Sequence, residues 1–154
     1  MQLPQDLKDF IELLNLKNCR YLIVGGWAFN YYADARPTGD FDFFVPIDEQ
    51  SEVGLREVLS EFGFSSALPA KESPLLQSGK VLMLGRKPMR IDVLTTTDGV
   101  EFEEAWASKV SGDLGGIPVF YISRSLLLTN KLASGRDKDL RDAAVLKSLY
   151  GEKP

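Results

Sequence analysis

Asp40 and Asp42 stand two residues apart in the segment Asp-Phe-Asp-Phe-Phe-Val, 40–45. On a strand, alternate side chains share a face, so both carboxylates leave one side and Phe41 and Phe43 the other. The two positions lie roughly 6–7 Å apart along the strand, and the carboxylates can lean together onto shared cations. Without a cation, partial burial and mutual repulsion would raise the pKa of one of them. The pair also fits a solvated edge strand, where aspartate is disfavoured but tolerated. A third aspartate, Asp92, interrupts the run Met89-Arg90-Ile91-Asp92-Val93-Leu94. Ile91 and Val93 share one face, and Asp92 lies on the other with Arg90 and Leu94. An aspartate in such a strand costs free energy unless paired. Either a salt bridge to Arg90 or Arg36, or a place as third ligand of a metal, meets that need.

Composition narrows the chemistry. The 154 residues contain no histidine and a single cysteine, Cys19. Ser-His-Asp and Cys-His catalysis, His-containing zinc sites and cysteine-rich clusters are therefore excluded. A metal here must be a hard cation on oxygen ligands: Mg²⁺, Mn²⁺ or Ca²⁺. The lone cysteine fits a reducing compartment, the start MQLPQDLKDF has no basic region leading into an apolar core, and no apolar run has the ~20 residues of a membrane span. The expectation is a cytoplasmic protein. A net charge of −4 argues against broad electrostatic binding to nucleic acid, leaving room for a local basic patch.

Upstream of the aspartates, Arg20–Val24 is a β-branched run ending at Gly25-Gly26. Two glycines let backbone approach a ligand closely, and their N–H groups with a helix N-terminus attract phosphate. The pair equally fits an ordinary strand-to-helix turn. No G-K-[ST] follows, and G-x-G-x-x-G is not matched.

The elements that must position these residues can be read along the chain. Helical spacing predicts helices over 5–17, 27–35, 49–62, 100–107, 123–134 and 137–150, with Ser123 and Asp137 as caps and Gly135 as a stop. Strands are expected at 20–24, 40–45, 80–85 and 89–95, the last two as a hairpin, with a strand pair in 108–121 around Gly115-Gly116. The Ser-, Pro- and Lys-rich stretch 65–79 reads as an exposed loop. The sum is one α/β (α+β) domain over 1–154: a small central mixed β-sheet flanked by helices, with a C-terminal helical segment at about 123–150. The aromatics Trp27, Phe29, Tyr31, Tyr32 and Trp106 are expected to pack in the core rather than to stack on a base.

Taken together, strand, Gly-Gly, helix, D-x-D after 13 intervening residues, and a later strand with one aspartate resemble the nucleotidyltransferase superfamily of DNA polymerase beta. The wording Y-L-I-V-G-G-W-A-F-N-Y-Y…R-P-T-G-D-F-D-F-F-V is similar to small bacterial nucleotidyltransferases that include abortive-infection-type toxins of toxin–antitoxin pairs. The segment L-L-L-T-N-K-L-A-S-G-R-D-K-D-L-R-D resembles the C-terminal part of that group. The resemblance covers about 20–45, 89–94 and 123–146. It implies two Mg²⁺ ions (Mn²⁺ as substitute) on Asp40, Asp42 and Asp92, and a nucleoside triphosphate such as ATP contacted by the backbone of Gly25 and Gly26. Many relatives carry serine at the second glycine, so a hydroxyl contact is missing here. Asp92 would help deprotonate the acceptor hydroxyl. Lys131 would reach the β- and γ-phosphates, or else lie on a solvated helix face. Asp139 would brace Lys131 or Arg136. Arg36 and Thr38 would orient the D-x-D loop or touch phosphate. The cluster Arg136, Lys138 and Arg141, interleaved with Asp137, Asp139 and Asp142, reads mostly as surface pairing.

The implied reaction moves a nucleoside monophosphate to a hydroxyl of an RNA 3′ end, a protein or a small molecule, with an antitoxin as partner if the toxin likeness holds. Two rivals stand beside it: a non-catalytic nucleotide-binding module with the same pocket, and an interaction domain whose acidic strands meet a basic partner. Retention of all three carboxylates favours the enzyme.

Overall fold

A computed structural model describes residues 4–34, 38–64, 68–70, 72–86 and 89–151. The chain begins with α1 (Gln5–Leu16), whose Leu7, Phe10, Ile11 and Leu14 recur at helical spacing and are all buried. Strand β1 (Leu22–Val24) is buried throughout and runs directly into α2 (Gly25–Ala33). The expected turn at Gly25-Gly26 is thus the first turn of the helix itself. Strand β2 (Asp40–Phe44) follows, then α3 (Glu49–Leu59), capped by the Asp48 carboxylate accepting from the Ser51 N–H. A π-helical turn at Ser60–Phe64 ends it, with Gly63 at φ 101°.

Strands β3 (Val81–Arg86) and β4 (Met89–Leu94) form the expected hairpin. Helix α4 (Phe102–Ala107), the hairpin β5 (Val110–Leu114) and β6 (Ile117–Tyr121), and helices α5 (Arg124–Ser134) and α6 (Asp137–Tyr150) complete the chain. Ser123 caps α5 by accepting from the Leu126 N–H, and Gly135 closes it in the left-handed region at φ 67°. Arg136, rather than Asp137, occupies the N-cap of α6, without a side-chain cap.

The six strands lie in the order β3-β4-β2-β1-β6-β5. Pairing is mixed: β2 is antiparallel to β1 and parallel to β4, while β1 is parallel to β6. Alternation along β2 sends Phe41 and Phe43 into the core, where Phe10 of α1 stacks on Phe43 with centroids 5.3 Å apart and Trp27 meets Phe41 at 4.9 Å. Trp27 and Phe29 are core residues, as expected, whereas Tyr31 is 42% exposed and stacks on Tyr121.

The connection from α3 to β3 forms no helix or strand among its described residues, but it is not simply an exposed loop. Leu76 is buried. Glu52 accepts from the N–H groups of Leu75 and Leu76, and Arg56 donates to the carbonyls of Pro69 and Ser73. Glu52 and Arg56 are paired at 2.6 Å one helical turn apart, so α3 clamps the segment by its backbone.

Candidate active site

Register brings the aspartates together. In the parallel pair of β2 and β4, Asp40 stands beside Arg90 and Asp42 beside Asp92, while across the antiparallel pair Asp42 stands beside Val24. Neighbouring strands are about 4.8 Å apart, so the two carboxylates are neighbours on one face of the sheet. Asp92 is 7% exposed. The Asp42 carboxyl is pushed up to about 6, first by burial and then by the charges of Asp92 and Asp40, against the pull of Lys131 and Arg90.

Arg90 supplies the charge that partly offsets this acid cluster. Its Nε and Nη2 donate to Asp92 at 2.8 and 2.9 Å, and Nη2 also reaches Asp40 at 3.3 Å. The salt bridge, one of the two explanations the sequence left open for Asp92, is the interaction present. Among the described residues no three acidic or cysteine side chains are grouped so as to hold a cation as they stand. One atom nevertheless asks for one: Asp40 Oδ1 is buried without a hydrogen-bond partner.

The two glycines abut the acid cluster. Gly25 has φ +66°, and a Cβ there would collide with the Asp42 carboxylate; a Cβ at Gly26 would lie 2.5 Å from Thr38 Oγ1. With hydrogen at both positions the first turn of α2 closes on Asp42 and Thr38 without displacing either side chain. That turn has N–H groups without intrahelical partners at the positive end of the helix dipole. Thr38 therefore sits where it can shape this corner. Arg36, the other residue expected there, lies outside the described residues.

Lys131 is not on a solvated face. It is 4% exposed and donates to Asp139 at 3.1 Å and Asp142 at 2.9 Å. Asp139 and Asp142 are likewise buried, whereas Arg136, Asp137, Lys138 and Arg141 are exposed, so the surface reading holds for most of the cluster but not for these two aspartates. Asp139 also accepts from the Ser134 hydroxyl at 2.5 Å and Arg136 Nε at 2.9 Å, so it braces both Lys131 and Arg136. Burial works to raise its carboxyl, but Ser134, Lys131 and Arg136 outweigh that and hold it below the usual carboxylate range. The triad ties α5 to α6.

These pieces line one cavity of about 210 Å³, with Gly25, Gly26 and Asp42 on one wall and Lys131, Arg136 and Lys138 on another. Thr97, Asp98 and Asn130 close a further side. Asn130 donates to Thr97 Oγ1 at 2.8 Å and to the Asp98 carbonyl at 2.9 Å. This Asn-Thr corner was missed in the sequence, where Thr97 and Asp98 look like a plain turn and only the adjacency of Asn130 to Lys131 offers a hint. Arg141, exposed on α6, is not among the cavity's lining residues.

A mixed sheet with adjacent carboxylates on its central strands, a glycine-led helix against them and a cationic helix pair opposite define the nucleotidyltransferase fold. No family model and no curated protein matches the sequence. Solved structures do. The antibiotic-resistance factor ANT(2'')-Ia matches over 95% of this chain and 83% of its own, with TM-score 0.62 and 16% identity. The lincosamide antibiotic adenylyltransferase LnuA matches over 96% of this chain and 98% of its own, with TM-score 0.59 and 16% identity. An antigenic nucleotidyltransferase-like protein from Paracoccidioides brasiliensis matches over 94% and 75%, with TM-score 0.56 and 16% identity. At that identity the likeness is one of fold. It agrees with the expected central sheet flanked by helices. No helix among the described residues is long and apolar enough to cross a membrane.

Proposed function

We propose that the chain transfers a nucleoside monophosphate from a nucleoside triphosphate to a hydroxyl. The observation that carries this is the convergence of Asp42, Gly25-Gly26 and Lys131 on one cavity, with Asp92 in register beside Asp42 and Asp40 two residues before it on the same strand. Asp40 and Asp42 would hold Mg²⁺ together with the triphosphate. The unpaired Asp40 Oδ1 and the raised Asp42 carboxyl are what a cation would relieve. Asp92 would join them once Arg90 releases it. Bound divalent cations would supply charge stabilisation to the attacking and departing oxygens.

The chain's own contribution is position and charge. Gly25 and Gly26 offer backbone N–H groups to phosphate, and Lys131, Arg136 and Lys138 offer positive charge opposite. Lys131 has three ammonium protons, of which Asp139 and Asp142 engage two. The acceptor oxygen forms a bond to the α-phosphorus as the bridging oxygen to the β-phosphorus departs with its electron pair in pyrophosphate. Asp92, once free of Arg90, would take the hydroxyl proton.

On the acceptor, the structural neighbours favour a small molecule, since ANT(2'')-Ia has been solved with adenylyl-2''-tobramycin and LnuA with lincomycin bound. ATP is accordingly the first triphosphate to try. A toxin-like role with an antitoxin partner rests on the sequence resemblance alone. A second reading, nucleotide binding without transfer, draws on Arg90, whose bidentate hold on Asp92 leaves the carboxylates apart from any shared ligand. Incubating the protein with each labelled triphosphate, Mg²⁺ and cell extract, then repeating with Asp42→Ala, separates the readings. Label transfer lost in the variant supports transfer. Mg²⁺-dependent binding with no transfer in any extract supports the second reading, and no binding at all removes both.

A further inference from the structure

On the sheet face that carries the carboxylates, the cationic cavity takes in Val24, Gly25, Gly26 and Asp42 with residues of α5 and α6, and meets β4 at Leu94, its last residue. Beyond Asp92 on β4 comes the edge strand β3. Register fixes what stands there: Met83 is opposite Asp92, Val81 opposite Leu94 and Gly85 opposite Arg90. Directly opposed residues of an antiparallel pair project to the same face. Met83 is therefore 59% exposed and Val81 45% exposed on the carboxylate face, while Leu84, of opposite parity, is buried. Edge strands usually carry charge where they meet solvent; this one presents a thioether and two methyls beside the acid cluster. The guanidinium of Arg90, one register step away, is pinned flat by Asp92 and Asp40.

We infer that Val81 and Met83 seat the acceptor, and that this acceptor is a small hydroxyl-bearing molecule with an apolar, ring-like body. The inference rests on the proposed transfer. In-line displacement sets the entering hydroxyl and the departing pyrophosphate on opposite sides of the α-phosphorus. With the triphosphate in the cationic cavity, the hydroxyl enters over β4, next to Asp92, and the rest of its molecule extends over β3. Met83 is the side chain suited to an apolar body of irregular shape, being flexible and polarizable. An RNA strand fits this surface less well, because its backbone draws on cations, and the exposed Val81 and Met83 carry none.

The chain has three methionines, Met1, Met83 and Met89, so ¹³C-methyl methionine labelling gives a sparse spectrum in which Met83→Leu assigns one signal. With Mg²⁺ and a non-hydrolysable ATP analogue present, phenyl β-glucoside should shift the Met83 methyl, whereas glucose and a six-residue adenylate RNA should not. Met83→Lys, on an exposed edge, should weaken phenyl β-glucoside binding about tenfold and leave the affinity for the ATP analogue unchanged. A Met83 response to the RNA in place of the glucoside overturns the small-molecule assignment. A silent Met83 methyl with the ATP analogue bound overturns the seat and leaves the proposed transfer standing. Failure of the analogue to bind with Mg²⁺ removes the transfer reading, and the seat with it.

Discussion

Replacing Asp42 by asparagine should make the protein more stable at neutral pH. The Asp42 carboxyl is raised from its ordinary 3.8 to about 6, by burial first and by Asp92 and Asp40 next. Because its folded pKa lies above the unfolded one, the native chain binds this proton more tightly than the unfolded chain does. The stability so gained is present below about pH 4 and is lost as pH rises through about 6. A shift of roughly two units corresponds to a ceiling of about 3 kcal/mol. Asp42→Asn removes the charge with little change of shape, so its advantage over the wild type should be near zero at pH 4 and reach about 1–3 kcal/mol by pH 8. For a chain of this length that is roughly 3–10 °C in Tm. Thermal melts of both proteins in EDTA, from pH 4 to 8, read the difference directly. Taking the difference matters, because Asp139, Asp48 and Glu52 are held below the usual carboxylate range and push the slope of each separate curve the other way. A gap that is absent at pH 8, or that does not change with pH, would refute the electrostatic account of the acid cluster.

Two further outcomes follow from the charged groups around it. Lys131→Met should destabilise the fold by about 3–5 kcal/mol, since it removes the ammonium that two buried carboxylates share; a urea melt checks this, and a loss under 1 kcal/mol would mean that the remaining partners of Asp139 and Asp142 suffice. Arg90→Gln should lower the Mg²⁺ concentration needed to raise Tm by about tenfold, on the order of the ~1.4 kcal/mol a competing cation contributes. A higher requirement instead would show that Arg90 holds Asp92 in place for the metal.

The sheet and its carboxylate face were legible because two periodicities agree. In β2 the aspartates and phenylalanines alternate, and in β4 Ile91 and Val93 alternate with Arg90 and Asp92, so faces follow from strand geometry alone. Which strands neighbour each other did not follow from spacing, since the parallel pairing of β2 with β4 spans a long connection whose closure depends on tertiary packing. The glycines were read as a turn because their composition suits one; in the fold the helix begins on them, driven by the need to bring backbone against Asp42. Lys131 was ambiguous for a physical reason. Sequence shows a lysine on a helix with aspartates eight and eleven residues later, and only the packing of α5 on α6 turns that spacing into a buried triad. The clamp of Glu52 and Arg56 on the 69–76 backbone was invisible for the same reason, since i,i+4 pairs on a helix are usually just surface pairs.

The pairing of β2 with β4 carries a consequence for how such a chain can diversify. The separation of Asp42 and Asp92 is set by main-chain hydrogen bonds between adjacent strands, which are indifferent to side-chain identity. The connection from α3 to β3 begins and ends outside that ladder and is anchored by two residues of α3. Substitutions and insertions there, and exchanges along the outer edge of β3, can remodel what is presented to a second substrate while the acidic pair keeps its spacing. Recognition and reactivity are encoded in separable stretches of one small sheet.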